Sequence, residues 1–171
     1  MNAITAKEIA NFELLAGLNN GERETVSTHL KEKRYSEGKV IFNEGDQGGD
    51  IFFLIAGEVE ISQALTLPMS KAADYDSRDK SIIRLSGKNG AVFGEISIFS
   101  NEDKRTATVT ALTDCRIGVL NEKDFFQILV NDKQIGYKIL LNLTRIVCNH
   151  LITANKNVLK LTTALSLILE K

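Results

Sequence analysis

The chain has 171 residues, 43% of them hydrophobic and 25% charged, with a formal net charge of −1. Its length suits one domain with a sizeable core plus an appendage, and its balance of charge excludes a molecule drawn as a whole onto nucleic acid or an anionic membrane. No apolar run reaches the roughly 18 residues of a membrane span, and Met1 to Glu8 lack the basic-then-apolar plan of a signal peptide. Cys115 and Cys148 make neither a disulfide framework nor a metal-ligand spacing, and read as reduced thiols of a cytoplasmic protein.

Apolar residues at Ile9, Phe12, Leu15 and Leu18 predict a helix over Thr5–Leu18 with Thr5 as N-cap, and Val26 and Leu30 mark the inward side of a second helix over Glu22–Lys31. From Lys33 the period becomes strand-like. Short apolar or alternating runs follow at Val40–Phe42, Ile51–Ile55, Val59–Ile61, Ile82–Leu85, Ala91–Phe93, Thr106–Ala111 and Arg116–Leu120. Glycine-bearing turns separate many of them, which indicates a sandwich or barrel rather than a parallel sheet. Gln63–Lys80 holds the only proline, Pro68, and a polar run from Asp74 to Lys80, and reads as an exposed mobile loop. A short helix is predicted over Asp124–Val130, then a long one from about Gln134 to the end. Along it Leu140, Thr144, Val147, Leu151, Ala154, Val158, Leu161, Leu165 and Ile168 alternate steps of four and three residues. Such a heptad seam calls for a partner helix, most simply in a parallel homodimer; a single helix packed on its own domain is the other reading. The organisation is thus a domain over residues 1–132 and a dimerisation helix over 133–171.

The segment Phe93–Val109, FGEISIFSNEDKRTATV, carries the chemistry. Gly94 permits close approach to the backbone, Ile96–Phe99 can form one helical turn whose leading N–H groups suit an anion, and Arg105 offers a fork of donors matched to phosphate oxygens. Glu95 would repel that anion, so the acid must face a donor on another part of the same ligand, such as a sugar hydroxyl. A cyclic nucleotide meets that description. A salt bridge between Glu95 and Arg105 across a surface turn is the competing reading.

The surrounding pattern resembles the cyclic nucleotide-binding domain family, and within it the catabolite activator-like branch. Residues 93–109 are similar to that family's phosphate-binding cassette, and EGDQGGDIFFLIAGEVEIS, Glu44–Ser62, to its second signature, in which Gly45 and Gly57 set turns. The resemblance, which covers nearly the whole chain, implies a mainly β fold with flanking helices: an antiparallel jelly-roll or β-roll preceded by short helices and followed by the long one. It also implies that Glu95 accepts the ribose 2′-hydroxyl, that Arg105 pairs with the cyclic phosphate, and that backbone N–H groups of Gly94, Ile96 and Ser97, with Thr106, complete the cradle. In the family the long helix covers part of the base, which makes Asn149, Thr153 and Asn155 candidate contacts; a solvated helix face accounts for them equally. The ligand is then cAMP or cGMP, with cAMP favoured because related bacterial-type domains mostly use it. The expected role is a regulatory sensor that signals through the long helix and the dimer seam to a downstream protein partner. Departures from the family pattern are Ser97 for the usual alanine, Phe99 within the turn and the long Gln63–Lys80 loop. They leave two alternatives: a ligand-free interaction or dimerisation module, and a sensor of another phosphorylated effector such as a cyclic dinucleotide.

DNA-binding members carry a helix-turn-helix unit after the long helix; this sequence stops at Lys171, within that helix, so no nucleic-acid partner is expected. The polar Glu170–Lys171 end slightly favours a natural terminus. Neither an enzyme nor a metal site is expected: cupin enzymes share the β-roll but need clustered histidines, and only His29 and His150 occur here, reading as surface or partly packed residues.

Overall fold

Eight strands form two four-stranded antiparallel sheets in a computed structural model that describes residues 3–64, 79–100 and 103–169. One sheet has the order β1 (Lys31–Tyr35), β8 (Cys115–Asn121), β3 (Asp50–Ala56), β6 (Val92–Phe93); the other runs β2 (Val40–Phe42), β7 (Thr108–Ala111), β4 (Glu58–Ala64), β5 (Asp79–Ser86). Non-consecutive neighbours in both sheets give the jelly-roll path implied by the resemblance. Helix α1 (Asn20–Thr28) precedes the roll, and α2 (Glu122–Asn131) and the 37-residue α3 (Lys133–Leu169) follow it. No described helix is long and apolar enough to cross a membrane.

The run Ile51-Phe52-Phe53-Leu54 lacks polar alternation because β3 is buried on both faces. Phe52 and Leu54 join Val59, Phe93, Val109, Ile117 and Val119 in the core between the sheets. Ile51 and Phe53 point the other way, into a second core built with Ile9, Phe12, Leu15, Phe125, Ile135 and Ile139. Each of these fully buried side chains contributes on the order of 2 kcal/mol. The first turns of α3 thus belong to the core, and buried Asn142 ties them to the N-terminal segment by donating to the carbonyls of Leu14 and Ala16 at 3.2 and 2.8 Å.

Several predicted elements are corrected. The helix predicted over Thr5–Leu18 is a succession of tight turns ending in a 3-10 turn at Glu13–Leu15. Its apolar residues recur every third position, the 3-10 period, and the N–H groups of Ala10, Phe12 and Leu15 accordingly donate three residues back, to Lys7, Ile9 and Phe12. Thr5 does cap it, receiving the Glu8 amide at 3.4 Å while its own amide donates to the Glu8 carboxylate. Helix α1 begins before Glu22, at Asn20, because Asn19 and Glu22 form a reciprocal capping box. Strand β1 was missed: Lys-Glu-Lys-Arg-Tyr has no apolar alternation, being an edge strand with a charged rim. The loop predicted over Gln63–Lys80 is shorter, since β4 continues to Ala64 and β5 begins at Asp79; residues 65–78, including Pro68, lie outside the described residues.

Candidate functional site

Two sequence motifs meet at one place. After β6 the chain passes through Gly94 and enters a 3-10 turn at Glu95–Ile98. Gly94 holds φ at +84°, and a Cβ there would lie 2.9 Å from Arg105 Nη1, from the Asp50 carbonyl oxygen and from Phe52 Cδ2. Only glycine fits that conformation and that gap together. Across from it, the turn after β2 grips the backbone of Arg105: the Arg105 amide donates to the Asp46 carbonyl at 2.8 Å, and the Gly45 amide donates to the Arg105 carbonyl at 2.9 Å. Gly48 comes so close to Ser97 that a Cβ would stand 2.3 Å from the serine Cβ. The glycine-rich signature therefore serves the cassette directly, as its brace.

Arg105 is 5% exposed. Its guanidinium lies over the rings of Phe42 and Phe52, 4.4 and 5.2 Å from their centroids. Nη1 donates to the carbonyls of Asp50 and Gly94 and to Ser97 Oγ, at 3.0, 2.9 and 2.9 Å. Nε is buried without a partner. The guanidinium spends its bonds on carbonyls and a hydroxyl, and makes no ion pair with Glu95 among the described residues, so the surface salt-bridge reading fails. Burial disfavours its charge, while Asp50, Asp46 and Glu95 oppose that effect.

Glu95 is equally buried, and burial pushes its carboxyl above the ordinary range; a bond from its own amide and the charges of His150 and Arg105 pull the other way. Both residues line one cavity of about 550 Å³, within the range of small-ligand sites. Its wall includes the rest of the predicted set, Gly94, Ile96, Ser97 and Thr106. Of the three polar residues assigned to the base, Thr153 lines the cavity, whereas Asn149 and Asn155 are exposed on α3 and are not part of its lining. A carboxylate, a guanidinium and an apolar wall of Ile61, Ile83, Leu85 and Val92 can together hold a small ligand with a hydroxyl, an anion and a flat apolar body.

Comparison with known proteins decides the family, because the model of the cyclic nucleotide-binding domain matches residues 32–132. The chain belongs to the cyclic nucleotide-binding domain family. Over 116 residues it is 29% identical to a cAMP-dependent protein kinase regulatory subunit of Hypocrea atroviridis, a match covering 68% of this chain and 21% of that protein. It is 29% identical over 112 residues to a cAMP-activated global transcriptional regulator of Pseudomonas aeruginosa, covering 64% of this chain and 47% of the relative. The chain therefore spans under half the length of these relatives. In fold it is similar to the catabolite activator protein of Thermus thermophilus, with a TM-score of 0.73 at 21% identity, over 88% of this chain and 63% of that one.

Within this cyclic nucleotide-binding domain, Phe42, Gln63, His150 and Asn157 are four of the wall residues that sequence reasoning did not assign to the site. Phe42 stacks on Arg105 but reads simply as a strand residue. Gln63, assigned above to the mobile loop, sits in β4, and its Nε2 donates to the Thr106 carbonyl at 3.0 Å, fixing the residue after Arg105. His150 and Asn157 flank Thr153 on the cavity side of α3. Their signal was available: steps of three and four place 150, 153, 154 and 157 on one helix stripe.

Proposed function

We propose that this chain is a sensor module that binds a cyclic purine mononucleotide, cAMP in preference to cGMP, in the cavity framed by Glu95 and Arg105. The observation that carries the reading is the Arg105 guanidinium, held buried at the cavity wall with Nε unpartnered. A phosphodiester supplies the charged oxygens that such a group lacks. In this reading Arg105 pairs with the cyclic phosphate, and the leading amides of the 3-10 turn from Gly94 to Ser97, with Thr106, surround its oxygens. Glu95 accepts the ribose 2′-hydroxyl, and Thr153 contacts the base. The preference for cAMP rests on the two relatives named for it. Calorimetric titration tests the assignment. Wild type should bind cAMP more tightly than cGMP, and Arg105→Ala should weaken cAMP by about a hundredfold, on the order of 2–3 kcal/mol. Unchanged affinity in the variant would remove the assignment.

The output is a change in α3. Ile98 packs in the core shared with α2 and α3, and the Phe99 ring contacts Phe125 and Phe126 with centroids 6.0 and 6.3 Å away. Movement of the cassette onto a phosphate is thereby transmitted to the helices and on to a homodimer seam, where a downstream protein reads it in the cytoplasm. Ligand shifts this equilibrium only by its differential affinity for the two arrangements. Amide exchange along Tyr137–Leu161 should slow with cAMP; identical protection with and without it would refute the transmission.

A further inference from the structure

The Arg105 guanidinium is buried with no carboxylate bonded to it among the described residues; Asp46, Asp50 and Glu95 act on it only through space. Among those residues its hydrogen bonds all leave from one nitrogen, Nη1. A planar group tethered at one nitrogen can still tilt about that point, so something else must set its plane. We propose that Phe42 is a positioning residue of the ligand site, whose ring face fixes the plane of the Arg105 guanidinium and keeps water from it, so that an anion in the cavity meets a preoriented, desolvated cation. This rests on the nucleotide-binding reading and goes beyond it.

Strand β2 is shaped to bring that ring into place. Its pairing with β7 slips between Val40 and Phe42: Val40 stands opposite Thr110 and Phe42 opposite Val109, so β2 carries one residue more than its partner. Regular alternation would send Ile41 and Phe42 to opposite faces. Across this bulge both pack against the core between the sheets, while Val40 stays exposed. The guanidinium carbon then lies 4.4 Å from the Phe42 centroid, closer than its 5.2 Å to that of Phe52. Phe52 and Phe93, stacked on each other at 5.2 Å with 6° between their planes, brace the Phe42 ring with centroids 5.3 and 6.1 Å away. Those two rings are buried, whereas Phe42 is half-buried and lines the cavity beside Arg105. The chain continues from Phe42 into the turn at Gly45 and Asp46 that bonds the Arg105 backbone, so residues 42–46 hold both ends of Arg105. Over a ring face a buried cation regains part of the stabilisation it loses with water, and with water excluded its attraction to a phosphate is stronger.

The test is a double-mutant cycle read by calorimetric titration of cAMP into the full chain. Phe42→Leu keeps most of the apolar volume but no flat face, and Phe42→Tyr keeps the face. Phe42→Leu should weaken cAMP about tenfold, and Phe42→Tyr should stay within about twofold of wild type. In an Arg105→Ala background Phe42→Leu should cost less than about twofold, because the group that Phe42 positions is gone. A ring that served only to touch the nucleotide or to support the fold would cost the same in both backgrounds, and that result overturns the inference. Phe42→Tyr binding as weakly as Phe42→Leu overturns it as well. Full affinity in Phe42→Leu does so too and leaves the nucleotide reading standing. No heat from wild type overturns both.

Discussion

Gly94 and Arg105 show how narrowly the site is specified at the level of single atoms. The cassette turns at a left-handed residue whose missing Cβ leaves room for a guanidinium, and the guanidinium in turn borrows that residue's carbonyl. Gly94→Ala would combine an unfavourable φ of +84° with three 2.9 Å approaches, two of them to backbone oxygen and an aromatic ring that cannot swing away. We predict a loss of about 2 kcal/mol or more in chemical denaturation, together with weakened cAMP binding because Arg105 is displaced. Stability and affinity both unchanged would show that this close approach is not a constraint. That Glu95 and Arg105 line one cavity was legible in the sequence, because an acid beside a phosphate-matched base calls for a ligand with a second face. The partners Arg105 takes were not: carbonyls of Asp50 and Gly94 are invisible to residue-type reasoning, which sees side chains only.

At the scale of elements, the N-terminal turns are fastened to the roll by charge as well as by the apolar core. Arg116 on β8 hydrogen-bonds both Glu8 and Glu32, and the Glu8 carboxyl is pulled down to about 2, chiefly by the bond from Arg116 and then by Thr5. A carboxyl whose folded value is depressed stabilises the protein above its unfolded value and loses that contribution as pH falls through the folded one. The contribution of Glu8 is therefore complete above about pH 4.5 and disappears between there and about pH 2. Denaturation midpoints measured across that window should fall less steeply in Glu8→Gln than in wild type; parallel curves would show that Glu8 contributes nothing. Elements with a one-sided apolar pattern were legible, such as β7 and α2. Those set by hydrogen bonding were not. Edge strand β1 is held by its ladder to β8 rather than by apolar side chains, and the turns before α1 share apolar residues with a helix while differing in period.

For the molecule as a whole, the open question lies along α3, where every side chain from Val147 to Leu169 is exposed in the single chain. Leu151, Val158, Leu161 and Leu165 are each more than half exposed, and they fall on the predicted seam. Ala154 belongs to both the seam and the cavity wall, so a ligand in the cavity and a partner on the seam would press on the same residue. We expect wild type to sediment as a dimer and the pair Leu151→Glu, Leu161→Glu as a monomer with an unaltered fold; a monomeric wild type would end the seam's role in signalling. Strand count and spacing indicate a sandwich or barrel and the family resemblance supplies the jelly-roll path, whereas the meeting of residues 42–48 with 103–106 depends on a register no local pattern encodes. The most direct measurement is a crystal structure of the chain grown with excess cAMP. Arg105 should then be bonded to the cyclic phosphate and Glu95 to the ribose 2′-hydroxyl. A cavity without nucleotide, with Arg105 still on the carbonyls of Asp50 and Gly94, would contradict the account.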